Sequence, residues 1–411
     1  MKKLLGLTLC IMTALGGFVD FGQIVFTMQS GALFGNRLLW SVLLGTIAII
    51  IYMEMCGRVA VVAQEPVFSV VRNRLGYRSG LSVLIASQLL TVLTCAAELG
   101  GAAIVLHLLT GWSGKLLCVA FTLIVGASIG LLQFKWIERV YGLAGMAMIV
   151  FAVSAARLHP DLHDIVSGLA PHLTAARPPG NLHYYFFAVG IFSAMLMEYE
   201  VHFYSSGAIE EDWKTSDLTE NFAVAAFGCV LGGALTVALV VVGALVFLPR
   251  GIYPVLLSTT TLAGAMPLGR AGLLLTLAGT LACLAGAAIE TAMAAGYNVC
   301  QFYNLPWGKK LRPREAPVFT ALWAGTLALG ALAVLAGVRP LTLVNLSVVF
   351  GMVLMPMTYY PILRTAMDKS VMGRHVNRKI DTVLGGVMLG LIVVAAVAAI
   401  PLMIVTRSGT P

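Results

Sequence analysis

The stretch Gly16-Gly17-Phe18-Val19-Asp20-Phe21-Gly22-Gln23 sets one carboxylate among glycines, inside an apolar run from Leu4 to Phe34. Such a run exceeds the ~20 residues needed to cross a bilayer, and an Asp at that depth costs at least ~2.5 kcal/mol on insertion scales. Gly17 and Gly22 are weak helix formers, so the helix is expected to break near 20–23. An opened turn frees carbonyls that can coordinate a cation beside Asp20. A second polar cluster runs from Ala194 through Met197-Glu198-Tyr199-Glu200-Val201-His202-Phe203-Tyr204 to Gly207. On a regular helix Met197, Glu200 and Tyr204 share one face, and Glu198 and His202 another. Both carboxylates reach one site only if the helix unwinds, and no proline or glycine at 197–200 forces it to. The Met197 thioether would suit a softer transition metal, whereas carboxylate and carbonyl oxygens suit magnesium, calcium or manganese.

Of the 18 acidic residues, Asp20, Glu54, Glu98, Glu198, Glu200 and Glu290 fall within apolar segments, with few basic residues at similar depth. Carboxylates gathered in low dielectric want a cation or protons. Arg58 lies one turn beyond Glu54, and an i,i+4 pair accounts for both. Glu98 and Glu290 sit among alanines and glycines that allow close helix packing. Each reads either as an ion or proton relay or as a charge tying helices together. The loop at roughly 158–183 carries His159, Asp161, His163, Asp164 and His172, and it reads as a solvated polar loop rather than a metal collector. The acidic stretch from Glu210 to Glu220 reads the same way.

The elements that must hold these residues are membrane helices. The chain is 59% hydrophobic and 11% charged, against ~25% charged in soluble domains. Hydropathy places about eleven spans: 4–34 (broken near 20–23), 37–63, 81–109, 114–133, 139–157, 184–208, 220–248, 270–300, 316–337, 340–366 and 382–405. No stretch alternates with period two, which excludes barrel strands. The seven cysteines lie scattered, with no disulfide framework or metal-ligand spacing. Met1-Lys2-Lys3 before an apolar run is not read as a signal peptide, because Asp20 interrupts the run and no soluble domain follows. With the N-terminus cytoplasmic, 18 of the 26 Lys and Arg fall on the inner side, which puts the C-terminus outside. The net charge of +8 is then a topology signal, and no nucleic-acid partner is needed. Breaks in spans one and six suggest two five-helix repeats, about 4–157 and 184–366, plus an extra helix at about 382–405. In inverted-repeat transporters the substrate sits where the two broken helices meet.

The chain resembles the Nramp family of proton-coupled divalent-metal transporters, of the amino acid–polyamine–organocation superfamily. Gln29 to Gly35 and Leu38-Leu39-Trp40 look like its junction between helices 1 and 2, and Arg58 like the arginine closing helix 2. Ala97 to Ile104 looks like its helix 3, and Ala188-Val189-Gly190-Ile191 leads into helix 6 as in the family. The helix 1 motif Asp-Pro-Gly-Asn reads Asp20-Phe21-Gly22-Gln23 here, and the helix 6 motif Met-Pro-His reads Met197-Glu198-Tyr199. A second helix 6 histidine falls at Tyr204, an acid before the helix 3 glutamate falls at Cys95, and the helix 10 glutamines are lost. The resemblance implies an all-α LeuT-like inverted repeat. It also implies a cation site of Asp20, Gln23, Met197 and the Ala194 carbonyl, to which Glu198 or Glu200 adds charge. Candidate relays are Glu98, Glu290, Tyr199, His202 and Tyr204.

The expected function is secondary transport of a divalent cation of the manganese or magnesium class by alternating access, with proton coupling altered or weakened. The expected setting is a bacterial inner membrane. No enzymatic chemistry, cofactor or obligatory protein partner is expected. The alternative is an organic amine or amino acid carried on the same fold, which an aromatic pocket around Phe21 and Tyr199 would favour.

Overall fold

The computed structural model describes residues 19–175, 178–254, 257–263 and 266–410. Gly17 and the first half of the first predicted span lie outside them. The described helices are α1 (Phe21–Phe34), α2 (Leu39–Ala63), α3 (Val67–Leu75), α4 (Tyr77–Thr110), α5 (Gly114–Leu131), α6 (Phe134–Gly145), α7 (Ile149–Arg157), α8 (Leu162–Gly168), α9 (Asn181–Ala194), α10 (Glu198–Glu210), α11 (Leu218–Val246), α12 (Leu257–Ala263), α13 (Gly269–Tyr303), α14 (Pro317–Leu335), α15 (Pro340–Ala366), α16 (Lys369–Met372) and α17 (Lys379–Val405). Among the described residues ten helical stretches are long and apolar enough to cross a membrane. The first, Phe21–Ala63, joins the remainder of span one to span two. Where the predicted spans fall on described residues they match these helices within a few residues at either end. Span five is divided into α6 and α7 by a 3-10 turn at Met146–Met148, and span six is two helices, α9 and α10.

Among the described residues there is no strand, as a bilayer demands of any structure that is not a closed barrel. The core is built where small residues let backbones approach. A Cβ on Gly100 would sit 2.5 Å from Pro340 at the head of α15, and one on Gly101 would sit 3.2 Å from Phe21. Gly330 of α14 lies against the Ala96 backbone. The alanine and glycine run of α4 is therefore where α1, α14 and α15 converge. A close backbone approach joins α1 to α11. A Cβ on Gly31 would lie 2.2 Å from the Val240 carbonyl oxygen, and one on Gly243 would lie 2.6 Å from that of Met28.

Helix neighbours exchange under a swap of the two predicted repeats. Helix α4 runs along α13, its own counterpart. The pairing of α1 with α11 is matched by that of α10 with α2, and α4 with α15 by α13 with α6 and α7. That exchange is what an inverted repeat produces. Helix α17 stands outside it, against α15 and α9.

Short elements escape hydropathy. Helix α3 is amphipathic, with Val67, Phe68, Val70 and Val71 buried and Arg72 and Arg74 in its last turn. Arg72 donates to the Phe302 carbonyl at 2.6 Å, and Arg74 reaches Asp368 at 2.7 Å, so α3 staples the ends of α13 and α15. Glu54 and Arg58 form the expected pair at 2.7 Å. Arg58 also donates to the His375 carbonyl (2.8 Å) and to Asn377 Oδ1 (2.7 Å), which ties α2 to the segment before α17.

Candidate functional site

Asp20 is extended (φ −93°, ψ −177°) and helix α1 starts at the next residue. The break thus lies at the head of the expected 20–23 interval, and Gly22 is inside the first turn rather than at the break. A Cβ on Gly22 would meet Val348 at 3.1 Å and Asp20 Oδ1 at 3.2 Å. The glycine makes room for the carboxylate to fold back and accept from Gln23 N at 2.7 Å. Asp20 is an N-cap, satisfying a donor left open at a helix start. A second carboxylate shares that helix end. Both oxygens of Glu98, on α4, accept from Phe21 N at 3.3 Å. Two buried acids at one helix N-terminus use its positive end yet still repel each other. Among the described residues, the hydrogen-bond partners of Asp20 are Gln23 N and the Tyr199 hydroxyl, and neither is cationic.

The second break occupies Met195-Leu196-Met197. Met195 N closes onto Ile191 and Leu196 N onto Ser193, both at 2.9 Å. Met197 is then extended (φ −65°, ψ 112°) and caps α10. Among the described residues no backbone N–H closes onto the Ala194 carbonyl, which a helix end leaves available. The break needs neither proline nor glycine, and it precedes both glutamates instead of falling between them. Glu198 and Glu200 consequently stay on a regular helix and point apart. Glu198 lies 3.5 Å from His202, whose ring packs edge-on against Phe68. Glu200, two residues on, turns away from that pair and is also buried. Among the described residues none of the four carboxylate oxygens of Glu198 and Glu200 has a hydrogen-bond partner, nor has Glu290 Oε2.

Tyr199 bridges the two breaks, its hydroxyl donating to Asp20 Oδ2 at 3.4 Å, and its ring packs with Met197, Ala287 and Ala294. Tyr204 follows Glu200 by one turn of α10. Its hydroxyl donates to Asn221 Oδ1 at 2.9 Å, near the end of the bundle where Arg58 lies. Gln23 is fully buried; its Nε2 donates to Met195 Sδ at 2.8 Å and to Thr236 Oγ1 at 2.9 Å, while its Oε1 has no partner. Sequence reasoning passed over Met195 and Thr236. Thr236 stands alone in the apolar run Leu235-Thr236-Val237-Ala238-Leu239-Val240, and that hydroxyl was its only signal. Among the described residues no three His, Cys, Asp or Glu converge to hold an ion. A cation bound here would need the amide, thioether and carbonyl oxygen as well as Asp20. The polar loop behaves as read. Asp161 caps α8 through His163 N (2.8 Å), and His159, His163 and Asp164 are exposed.

The profile of Natural resistance-associated macrophage protein-like (Nramp) sequences matches residues 11–401. The divalent metal cation transporter MntH 1 of Pseudomonas aeruginosa is 26% identical over 401 residues, spanning 92% of this chain and 87% of that protein. MntH of Agrobacterium fabrum is 26% identical over 192 residues, which is 46% of this chain and 41% of that one. Among solved structures, the Eremococcus coleocola manganese transporter superposes with a TM-score of 0.75 at 19% identity, covering 98% of this chain and 87% of that chain. MhsT in complex with L-phenylalanine gives 0.61 at 16%, covering 98% of both. These likenesses show a fold shared with broken-helix transporters. With a family profile running from residue 11 to residue 401, the chain belongs to the Nramp family.

Proposed function

We propose that this protein carries a divalent metal cation across a membrane by alternating access, as a secondary transporter and not an enzyme. The carrying observation is Asp20, a buried carboxylate at the extended break of the first helix, capped to Gln23 and joined by Tyr199 to the second break. Asp20, Gln23 Oε1, the Ala194 carbonyl and Met197 form the ligand set in this reading. Glu200 adds negative charge from α10, and Glu198 faces His202 instead. The relatives bear the names of metal cation and manganese transporters, and manganese is the first ion to try. The two added glutamates keep magnesium as the second, since a harder, partly hydrated ion suits an oxygen-rich site. Proton coupling is weakened in this reading because the two helix 6 histidine positions are Tyr199 and Tyr204, the latter bonded to Asn221. The organic-solute alternative finds no support. Phe21 packs on Gly101, and Tyr199 on two alanines, so both rings are taken up in helix packing.

The basic end of the bundle faces the cytoplasm in this reading, with the N-terminus inside, the C-terminus outside and a bacterial inner membrane as the setting. The two repeats keep the boundaries proposed from sequence. The test is uptake of manganese, magnesium and calcium into proteoliposomes under an imposed membrane potential, with internal pH recorded, for the parent and Asp20→Ala. Uptake that Asp20→Ala abolishes is expected, with a pH trace far smaller than the metal flux. A folded parent that moves none of the three ions would overturn the reading.

A further inference from the structure

The Gln23 amide has two ends of opposite sign, and only its oxygen attracts a cation. Both neighbours of Nε2 are acceptors. Met195 offers a thioether, which accepts and cannot donate. Thr236 spends its only hydroxyl proton on the Gly232 carbonyl at 2.9 Å, so towards Gln23 its oxygen accepts. The reversed amide would set Oε1 against two acceptors. The hydrogen-bond network therefore allows a single orientation, with the nitrogen toward Thr236 and Met195. Oε1 is left over, buried and without a partner, at a cost to the empty protein that a bound cation removes. All three residues are fully buried, so water does not substitute for either acceptor.

We infer that Thr236 and Met195 are positioning residues for the transported divalent cation: two acceptors that hold the Gln23 amide with its oxygen presented to the ion. The inference rests on the cation reading above. It extends that reading to residues that touch no ion, on α11 and at the second break. Losing Thr236 frees the amide to turn, and the –NH2 end then competes for the position and repels the ion. Such a defect belongs to binding, so it raises KM and leaves turnover nearly unchanged.

The experiment is manganese uptake at varied concentration by proteoliposomes of the parent, Thr236→Val, Thr236→Ser and Gln23→Leu, after checking that each elutes as folded protein. Thr236→Val keeps shape and removes the acceptor, and KM should rise about tenfold with the maximal rate within about twofold. Thr236→Ser restores the acceptor and should return KM to within about twofold of the parent. In Gln23→Leu, adding Thr236→Val should have no further effect, because the residue it positions is gone. The inference is overturned by a parent-like KM in Thr236→Val, by Thr236→Ser failing as badly as Thr236→Val, or by additive losses in the double variant. If Thr236→Val does not fold, Met195→Leu removes the other acceptor and carries the same KM expectation. Failure of the parent to transport any metal would instead strike the cation reading itself.

Discussion

At the scale of single residues, Glu198 and Glu200 make the sharpest contrast. They are two positions apart on one regular helix, yet Glu198 lies against His202 and Glu200 points away from it. Glu200→Gln is expected to raise the KM for manganese about tenfold, whereas Glu198→Gln should stay within about twofold; uptake kinetics in proteoliposomes separate them. Equal losses would show that α10 unwinds during transport. The opposite faces of the two glutamates were legible from helical periodicity alone. So was the importance of Asp20, since a lone carboxylate among glycines in an apolar run needs a partner. Periodicity was silent on the partner of Tyr204, which packs by a bond to Asn221 on α11, a contact that no local spacing encodes. It was equally silent on Gln23, whose meaning depends on a threonine 213 positions away in sequence.

At the scale of elements, the apolar segments that fall on described residues could be read to within about five residues at either end, because membrane helices are set by length and hydropathy. The second break could not. It arises at Met195-Leu196-Met197, a stretch with good helix formers throughout, so tertiary packing overrides propensity there. The amphipathic α3 was also invisible to a hydropathy window, yet it joins the ends of α13 and α15. At its outer edge the Ser370 hydroxyl and Arg74 hold Asp368 down at about 2, below its ordinary 3.8. The stabilisation from a carboxylate lowered in this way is complete above 3.8 and is lost as pH falls through about 2. Asp368→Asn should therefore lower the melting temperature by the same amount at pH 5 and at pH 8. A difference that vanishes at pH 5 would contradict the lowered value. The Arg58 bonds make a second tie, joining α2 to the segment before α17 beside buried Cys56. Arg58→Ala is expected to make Cys56 reactive toward a small thiol reagent, read by mass mapping, with the parent unlabelled in the same time.

At the scale of the whole molecule, the exchange of helix neighbours between the two halves matters more than any one contact. It places the two breaks, one from each half, against each other, and the hydroxyl of Tyr199 spans them. If metal enters without a compensating proton, each ion carries two charges through the membrane field, worth about 4.6 kcal/mol per 100 mV. A potassium diffusion potential, negative inside, should then drive manganese uptake with no pH gradient present. A flux that needs the pH gradient and ignores the potential would restore proton coupling to this chain.

The glycines at 31 and 243 have one more implication. Where these two glycines cross, backbone meets backbone, and α1 has no side chains at that point on which to slide past α11. A pivot at the extended Asp20 must then swing both helices as one beam. Thr236 rides on that beam together with Gln23, so their bond need not be broken and re-made at each stroke. In the function proposed above, the choice of ion is then built into a moving part that keeps its internal geometry, while the Ala194 carbonyl and Met197, at the second break, approach or withdraw.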